Sequence, residues 1–237
     1  MLEKIEKNCI FDAHFHYFHC KKLGICDFPP GWQGISCAHS QEEWELQIQA
    51  PASVLQAYGM HPQNAGHENI KKAADFLEGL AREKKIIAIG EAGFDYFSEE
   101  FKACKKEQEE IWNIQLDLAL NYGLPLVVHC RKANEKLFEY SKKLARLPEV
   151  LFHSFMGTPI EGKSLLNKGI NAYFSFGKQI FNNNKKVIAC VKELPAERLL
   201  AETDAPYQFL KGEKYTRPDE IVKILQEIKR LKEESLA

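Results

Sequence analysis

Residues 124–133 read LPLVVHCRKA. Leu124, Pro125, Leu126, Val127 and Val128 form an apolar run without polar alternation, which is the pattern of a strand covered on both faces. The run ends in His129, Cys130 and Arg131, and an amphipathic helical stretch follows over Ala133–Leu147. The same unit recurs along the chain. Further apolar runs lie at CIFDAH (9–14), GISCAH (34–39), SVLQAYGM (53–60), KIIAIGE (85–91), VLFHS (150–154), GINAYFS (169–175) and RLLAET (198–203). Helical patterns lie between several of them, at Asn69–Glu83, Glu99–Tyr122 and Asp219–Leu231 as well as Ala133–Leu147. Eight strands separated mostly by helices predict an α/β fold, a (β/α)8 TIM barrel of small size. A doubly wound open sheet satisfies the same pattern.

No repeat, low-complexity tract or Pro/Ser-rich linker divides the 237 residues, which predicts one domain over 1–237. The first crossover departs from the rhythm. Phe18–Gln33 holds Gly24, Pro29, Pro30 and Gly31 and reads as loop, so a degenerate or missing first helix is expected within 17–33.

A net charge of −1 excludes a protein that coats nucleic acid through bulk positive charge. The Lys-rich stretches at Lys102–Lys106, Lys185–Lys186 and Lys229–Lys232 read as solvated helix faces. No apolar run reaches membrane length, and MLEKIEKNCIF does not read as a signal peptide; a soluble cytoplasmic protein without a membrane partner is expected. Seven cysteines with no CxxC spacing argue against a disulfide framework or a zinc ribbon, and Cys130 reads as a small core thiol.

The histidines and carboxylates carry more information. His14 and His16 end the first strand, Glu91 the fourth, His129 the fifth and His153 the sixth, and Asp204 follows the eighth. In a barrel all six reach the carboxyl-terminal rim, where barrel active sites are built. His-x-His on a strand sets both imidazoles on one face. Singly, His129 or His153 also reads as a hydrogen-bonded core residue, Glu91 as the partner of a lysine, and Asp204 as a turn former or cap. Together they read as a ligand set for divalent metal, since imidazole suits Zn2+, Mn2+ or Fe2+ and carboxylates bridge pairs of ions. His61 in YGMHPQN and Arg131 fall on the same rim, with a turn residue and a solvated arginine as alternatives; Arg131 has the planar fork that grips phosphate. Asp95 in GFDYF is placed to orient a ligand. His19, His39 and His67 read as solvated or structural.

In order, FDAHFH, GMHP, IGEAGFDY, LPLVVHCRKA, FHSFMGT and AETDAP resemble the TatD family of metal-dependent hydrolases, across about four-fifths of the chain. The resemblance implies a (β/α)8 fold and metal-dependent deoxyribonuclease activity of exonuclease type. It implies two divalent ions, Zn2+, Mg2+ or Mn2+, one on His14, His16 and Asp204 and the second on His129 and His153, with Glu91 between them. His61 and Arg131 match substrate-contacting positions. GMHPQN lacks the second His and the Asp frequent in that motif, and YQFLKGEKYTRPDE lacks the usual Asn before the last helix. On this reading Asp204 and Glu91 are catalytic, Asp204 as the proton acceptor for a metal-activated water, and the substrate is DNA, RNA or a small phosphoester. A monomer is expected. Two other functions fit the same residues: hydrolysis of a small ester, amide or phosphate, and a non-catalytic barrel stabilised by metal.

Overall fold

The computed structural model describes residues 10–67 and 69–235. Eight strands run β1 (Ile10–Phe15), β2 (Trp32–Ala38), β3 (Val54–Tyr58), β4 (Ala88–Asp95), β5 (Leu126–Arg131), β6 (Val150–Phe152), β7 (Ala172–Phe176) and β8 (Leu199–Ala201). Each pairs in parallel with the next, so the sheet order is the chain order. A doubly wound sheet reverses its order at a switch point, and this sheet does not. Its two edges meet instead. The main-chain N–H of Asp204 donates to His14 O at 2.9 Å, and that of His16 donates to Ala205 O at 2.8 Å. Thr203 reinforces the seam, its N–H and hydroxyl donating to the Asp12 carboxylate at 2.9 and 2.6 Å. The sheet is thereby nearly closed into a barrel.

Helices cover its outside: α1 (Tyr17–Leu23), α2 (Gln41–Gln47), α3 (Ile70–Arg82), α4 (Glu99–Ala103), α5 (Lys105–Tyr122), α6 (Asn134–Glu139), α7 (Ser141–Leu144), α8 (Pro159–Asn167), α9 (Lys185–Glu193) and α10 (Ile221–Glu234). The first crossover helix is degenerate rather than missing. It keeps two turns, ends at Gly24 in the left-handed region (φ 69°), and gives way to the expected loop. The helical pattern of 99–122 is interrupted at Cys104, and that of 133–147 at Tyr140. Side-chain caps mark the starts of the short helices α2, α8 and α9: Ser40 on Glu43 N, a Thr158–Glu161 capping box, and Asn184 on Val187 N.

Strand parity explains what the barrel interior contains. One buried cluster, Ala13, Ile35, Cys37, Ala57, Ala88, Val127 and Leu151, fills the barrel beneath its upper rim. A second and larger cluster, including Phe15, Tyr58, Ile89, Ala92, Phe94, Val128 and Phe152, packs between strands and helices. Side chains alternate along a strand, so two residues beyond Val127 and Leu151 the inward positions are His129 and His153. Simple alternation fails on β1 and β4. Ala13 faces inward, which would turn His14 out; Ala88 faces inward, which would turn Glu91 out. Both strands shift register, between Asp12 and Phe15 and between Ile89 and Ala92. These irregularities reset the parity and aim His14, His16 and Glu91 at the centre, a known use of bulges beside functional sites. Glu91 therefore lies within β4, which continues to Asp95, rather than at its end.

The β4–β5 contact tolerates no added atom. Gly93 pairs with His129, and a Cβ there would run into the His129 carbonyl oxygen. Gly93→Ala is expected to cost about 2 kcal/mol or more in equilibrium denaturation, as over-packing does. Gly79→Ala is the control: a Cβ there meets nothing within 4 Å on α3 and is expected to stabilise by about 0.5–1 kcal/mol. Equal effects at the two sites would contradict the packing argument.

Candidate metal centre

The inward side chains at the carboxyl ends of the strands converge on the Glu91 carboxylate. On one side lie His14 Nε2 at 3.3 Å and His16 Nε2 at 3.5 Å from Oε1. Asp204 Oδ1 completes this group, 3.2 Å from His16 Nε2 and 3.6 Å from His14 Nε2, while the two imidazole nitrogens are 3.2 Å apart. On the other side, His153 Nε2 and His129 Nδ1 lie 2.6 and 3.2 Å from Oε2 and 3.2 Å from each other. His61 Nε2 stands 3.6 Å from the same oxygen. Ligands about 2.1 Å from a shared ion at tetrahedral angles lie about 3.4 Å from one another. The first group matches that spacing, and imidazole with carboxylate is a donor set for divalent transition metals. The residues present therefore fit a metal centre.

Electrostatics point the same way. Burial pushes the Glu91 carboxyl up, but His153, His14 and His61 together with the contact to His129 outweigh it and hold it well below the usual carboxylate range. Asp204 is likewise depressed against its burial, chiefly by His16 and His14. Burial lowers His14, and it drives His61 down to about 3. His61 is thus a neutral imidazole, and its Nδ1 accepts from Gln63 N at 3.2 Å, which leaves the proton on Nε2. His16, His129 and His153 are raised against their burial by the carboxylates around them, His153 most, so protons on these imidazoles balance the carboxylate charge, and a cation would displace them on binding.

Buried polar side chains hold this constellation from behind. Asp95 sits 3.1 Å from His129 Nε2 and accepts from Gln63 Nε2 at 2.8 Å and from Phe97 N at 2.9 Å. These contacts outweigh burial and hold its carboxyl at about 2. An ionised Asp95 fixes the His129 proton on Nε2 and directs Nδ1 at the centre, the carboxylate–histidine arrangement common behind metal ligands. Two buried glutamines of α5 clamp backbone: Gln108 bonds both N and O of Asp95, and Gln115 both N and O of Met60, next to His61. Gln208 Nε2 donates to Asp204 Oδ2 at 2.8 Å. Asp95→Asn is expected to weaken metal binding by about 10–100-fold in a competition titration with a chromophoric chelator. Unchanged affinity would remove Asp95 from the site.

The structure brings His14, His16, Glu91, His129, His153 and Asp204 together, all buried. His61 lies closer to Glu91 than a rim position implies. Arg131 stays at the mouth, with 42% of its side chain exposed, Nη1 3.7 Å from Asp95 and its guanidinium over the Phe97 ring. The Cys130 thiol reaches toward Asn134 Oδ1 rather than the centre, and burial raises its pKa to about 12. His39 departs from expectation. It is buried, with Nε2 3.2 Å from Glu91 Oε1, so it belongs to the cluster rather than to solvent. Parity was the available signal, since His39 is the next inward position after Ile35 and Cys37. His19 is partly exposed, its Nδ1 2.6 Å from the Tyr207 hydroxyl. A cleft of about 630 Å3 opens over the centre, lined by these histidines with Arg131, Ser154, Tyr207 and Gln208.

The chain is similar to known proteins. The pattern of the TatD related DNase family matches residues 11–237. A 3'-5' ssDNA/RNA exonuclease TatD of Edwardsiella piscicida is 34% identical over 177 residues, covering 73% of this chain and 66% of that protein. An uncharacterized metal-dependent hydrolase of Mycoplasma pneumoniae is 31% identical over 214 residues, covering 83% and 81%. The chain spans 56–66% of the length of the bacterial exonucleases it matches. The crystal structure of YJJV, a TatD homolog from Escherichia coli, superposes with a TM-score of 0.79 at 24% identity, over 94% of this chain and 90% of that one. A match from residue 11 to residue 237, on a barrel whose inward histidines and carboxylates meet at one rim, makes the chain a member of the TatD related DNase family of metal-dependent hydrolases.

Proposed function

We propose that the chain is a two-metal phosphodiesterase that shortens single-stranded DNA or RNA from the 3' end. The observation that carries this reading is the split of Glu91: one carboxylate oxygen faces His14, His16 and Asp204, the other His129 and His153. Each group would hold one divalent ion, and four imidazoles with two carboxylates suit Zn2+ or Mn2+ better than Mg2+. When bound, such ions acidify a water and draw charge from phosphoryl oxygens.

The protein's own groups complete the chemistry. Asp204 presents Oδ1 to the centre while Gln208 holds Oδ2, so Asp204 is placed to accept the proton of the attacking water. The Nε2–H of neutral His61 is a donor to a phosphate oxygen. Arg131 at the mouth neutralises phosphate charge, since its guanidinium keeps exposed N–H donors beyond its 3.7 Å contact with Asp95. Relatives named as ssDNA/RNA exonucleases support the nucleic-acid substrate. Net charge of −1 fits a protein that attracts its substrate at one cleft rather than over its whole surface. Among the described residues no helix is long and apolar enough to cross a membrane, and the six described cysteines are free thiols, which supports a cytoplasmic setting.

End-labelled single- and double-stranded DNA and RNA, assayed beside a panel of small esters and amides with Mg2+, Mn2+ and Zn2+, tests this proposal. A ladder receding from the 3' end of single strands is the expected result. Turnover of a small ester with no nucleic-acid cleavage under any metal would overturn it.

A further inference from the structure

A pair of cations shares one exposed aromatic ring at the mouth of the cleft. Phe97 follows β4 and is 51% exposed, an unusual position for a phenylalanine ring. The Arg131 guanidinium carbon lies 4.0 Å and the Lys132 ammonium 4.8 Å from its ring centroid. The backbone that carries the ring is tied to the site, since the Phe97 N–H donates to Asp95 Oδ1, and Asp95 in turn contacts His129 and Arg131. Lys132 is exposed, and Arg131 lines the cleft. The other exposed aromatic at the cleft, Tyr207, is committed: its hydroxyl is 2.6 Å from His19 Nδ1 and its ring packs edge-on to His16.

A ring that stays half-exposed with two cations packed over it is the chemistry that single-stranded nucleic acid recognises, with the base stacking on the ring's open surface or on the guanidinium plane above it, and phosphate on the charges. We infer that Phe97, Arg131 and Lys132 form a nucleotide subsite, in which Phe97 stacks a base of the strand next to the scissile phosphate and Lys132 holds a flanking phosphate. The subsite rests on the nuclease reading above and adds to it a determinant of substrate class: a base beside the cleaved bond is bound, and a phosphodiester without bases is not favoured. It also favours a single strand, because inside a duplex both faces of each base are already stacked on its neighbours.

Phe97→Ala and Phe97→Trp, compared with the unaltered protein, test the subsite. KM and kcat are measured with Mn2+ on a labelled single-stranded oligonucleotide and on the same oligonucleotide with abasic tetrahydrofuran residues at its last two 3' positions, a base-free diester at the cleaved end. Phe97→Ala is expected to raise KM for the oligonucleotide about tenfold with little change in kcat, while the Trp variant stays near the original value. The KM for the base-free diester moves less than twofold. An unchanged oligonucleotide KM, an equal loss on both substrates, or failure of Trp to rescue would overturn the subsite. Fluorescence anisotropy with the same oligonucleotide, without added metal, separates the two readings. Weaker binding by Phe97→Ala supports the subsite even where nothing is cleaved, and equal binding by the two proteins rejects it.

Discussion

Asp204→Asn is expected to keep the barrel and most of its metal and to lose turnover by about 10^2–10^4-fold, the range that a positioned general base contributes. Asn retains an oxygen that can face His16, so a donor to the centre survives while the proton acceptor does not. The backbone accepts the change: Asp204 has φ 52°, a left-handed conformation that Asn tolerates as well as Asp. Gln208, which donates to Oδ2, carries an unpartnered Oε1 that an amide flip turns toward the new NH2 group. Initial rates on an end-labelled single strand at saturating metal read the loss, with elemental metal analysis and circular dichroism as controls. A wild-type rate would remove Asp204 as the base.

Glu91→Ala carries the second large effect. Its two oxygens face different donor groups, so one truncation takes a ligand from both and leaves His14, His16, His129 and His153 facing a gap. Bound metal is expected to fall from two equivalents to one or fewer. The rate is expected to fall by at least about 10^3-fold, since metal ions supply several kcal/mol of transition-state stabilisation and each 1.36 kcal/mol is a factor of ten. Two ions retained at unchanged affinity would show that the pair does not share this carboxylate.

Most of the fold was legible because its parallel strands are buried on both faces and read as apolar runs. Short helices were not: α2, α8 and α9 run only seven to nine residues, about two turns each, too short a stretch for a helical repeat to stand out from its surroundings. The six clustered donors were legible as strand-end polar residues, but how His14, His16 and Glu91 come to face inward was not. That depends on two register shifts, which are properties of strand pairing and leave no local pattern. His39 was missed although its parity with Ile35 and Cys37 aims it inward. Gln108, Gln115 and Gln208 act through backbone and carboxylate contacts made across the fold, the last with Asp204 through a loop after β8, and polar helix or loop residues of this kind carry no motif.

Metal titration of the chelator-treated protein decides whether the barrel rim works as a two-ion hydrolytic centre. Mn2+ or Zn2+ is added in fractions of an equivalent, and cleavage of a 3'-end-dependent single-stranded substrate is followed beside bound metal. Activity is expected to rise chiefly with the second equivalent and to level off at two ions per chain. Full metal occupancy without cleavage of any nucleic acid, or full activity before any metal binds, would contradict it.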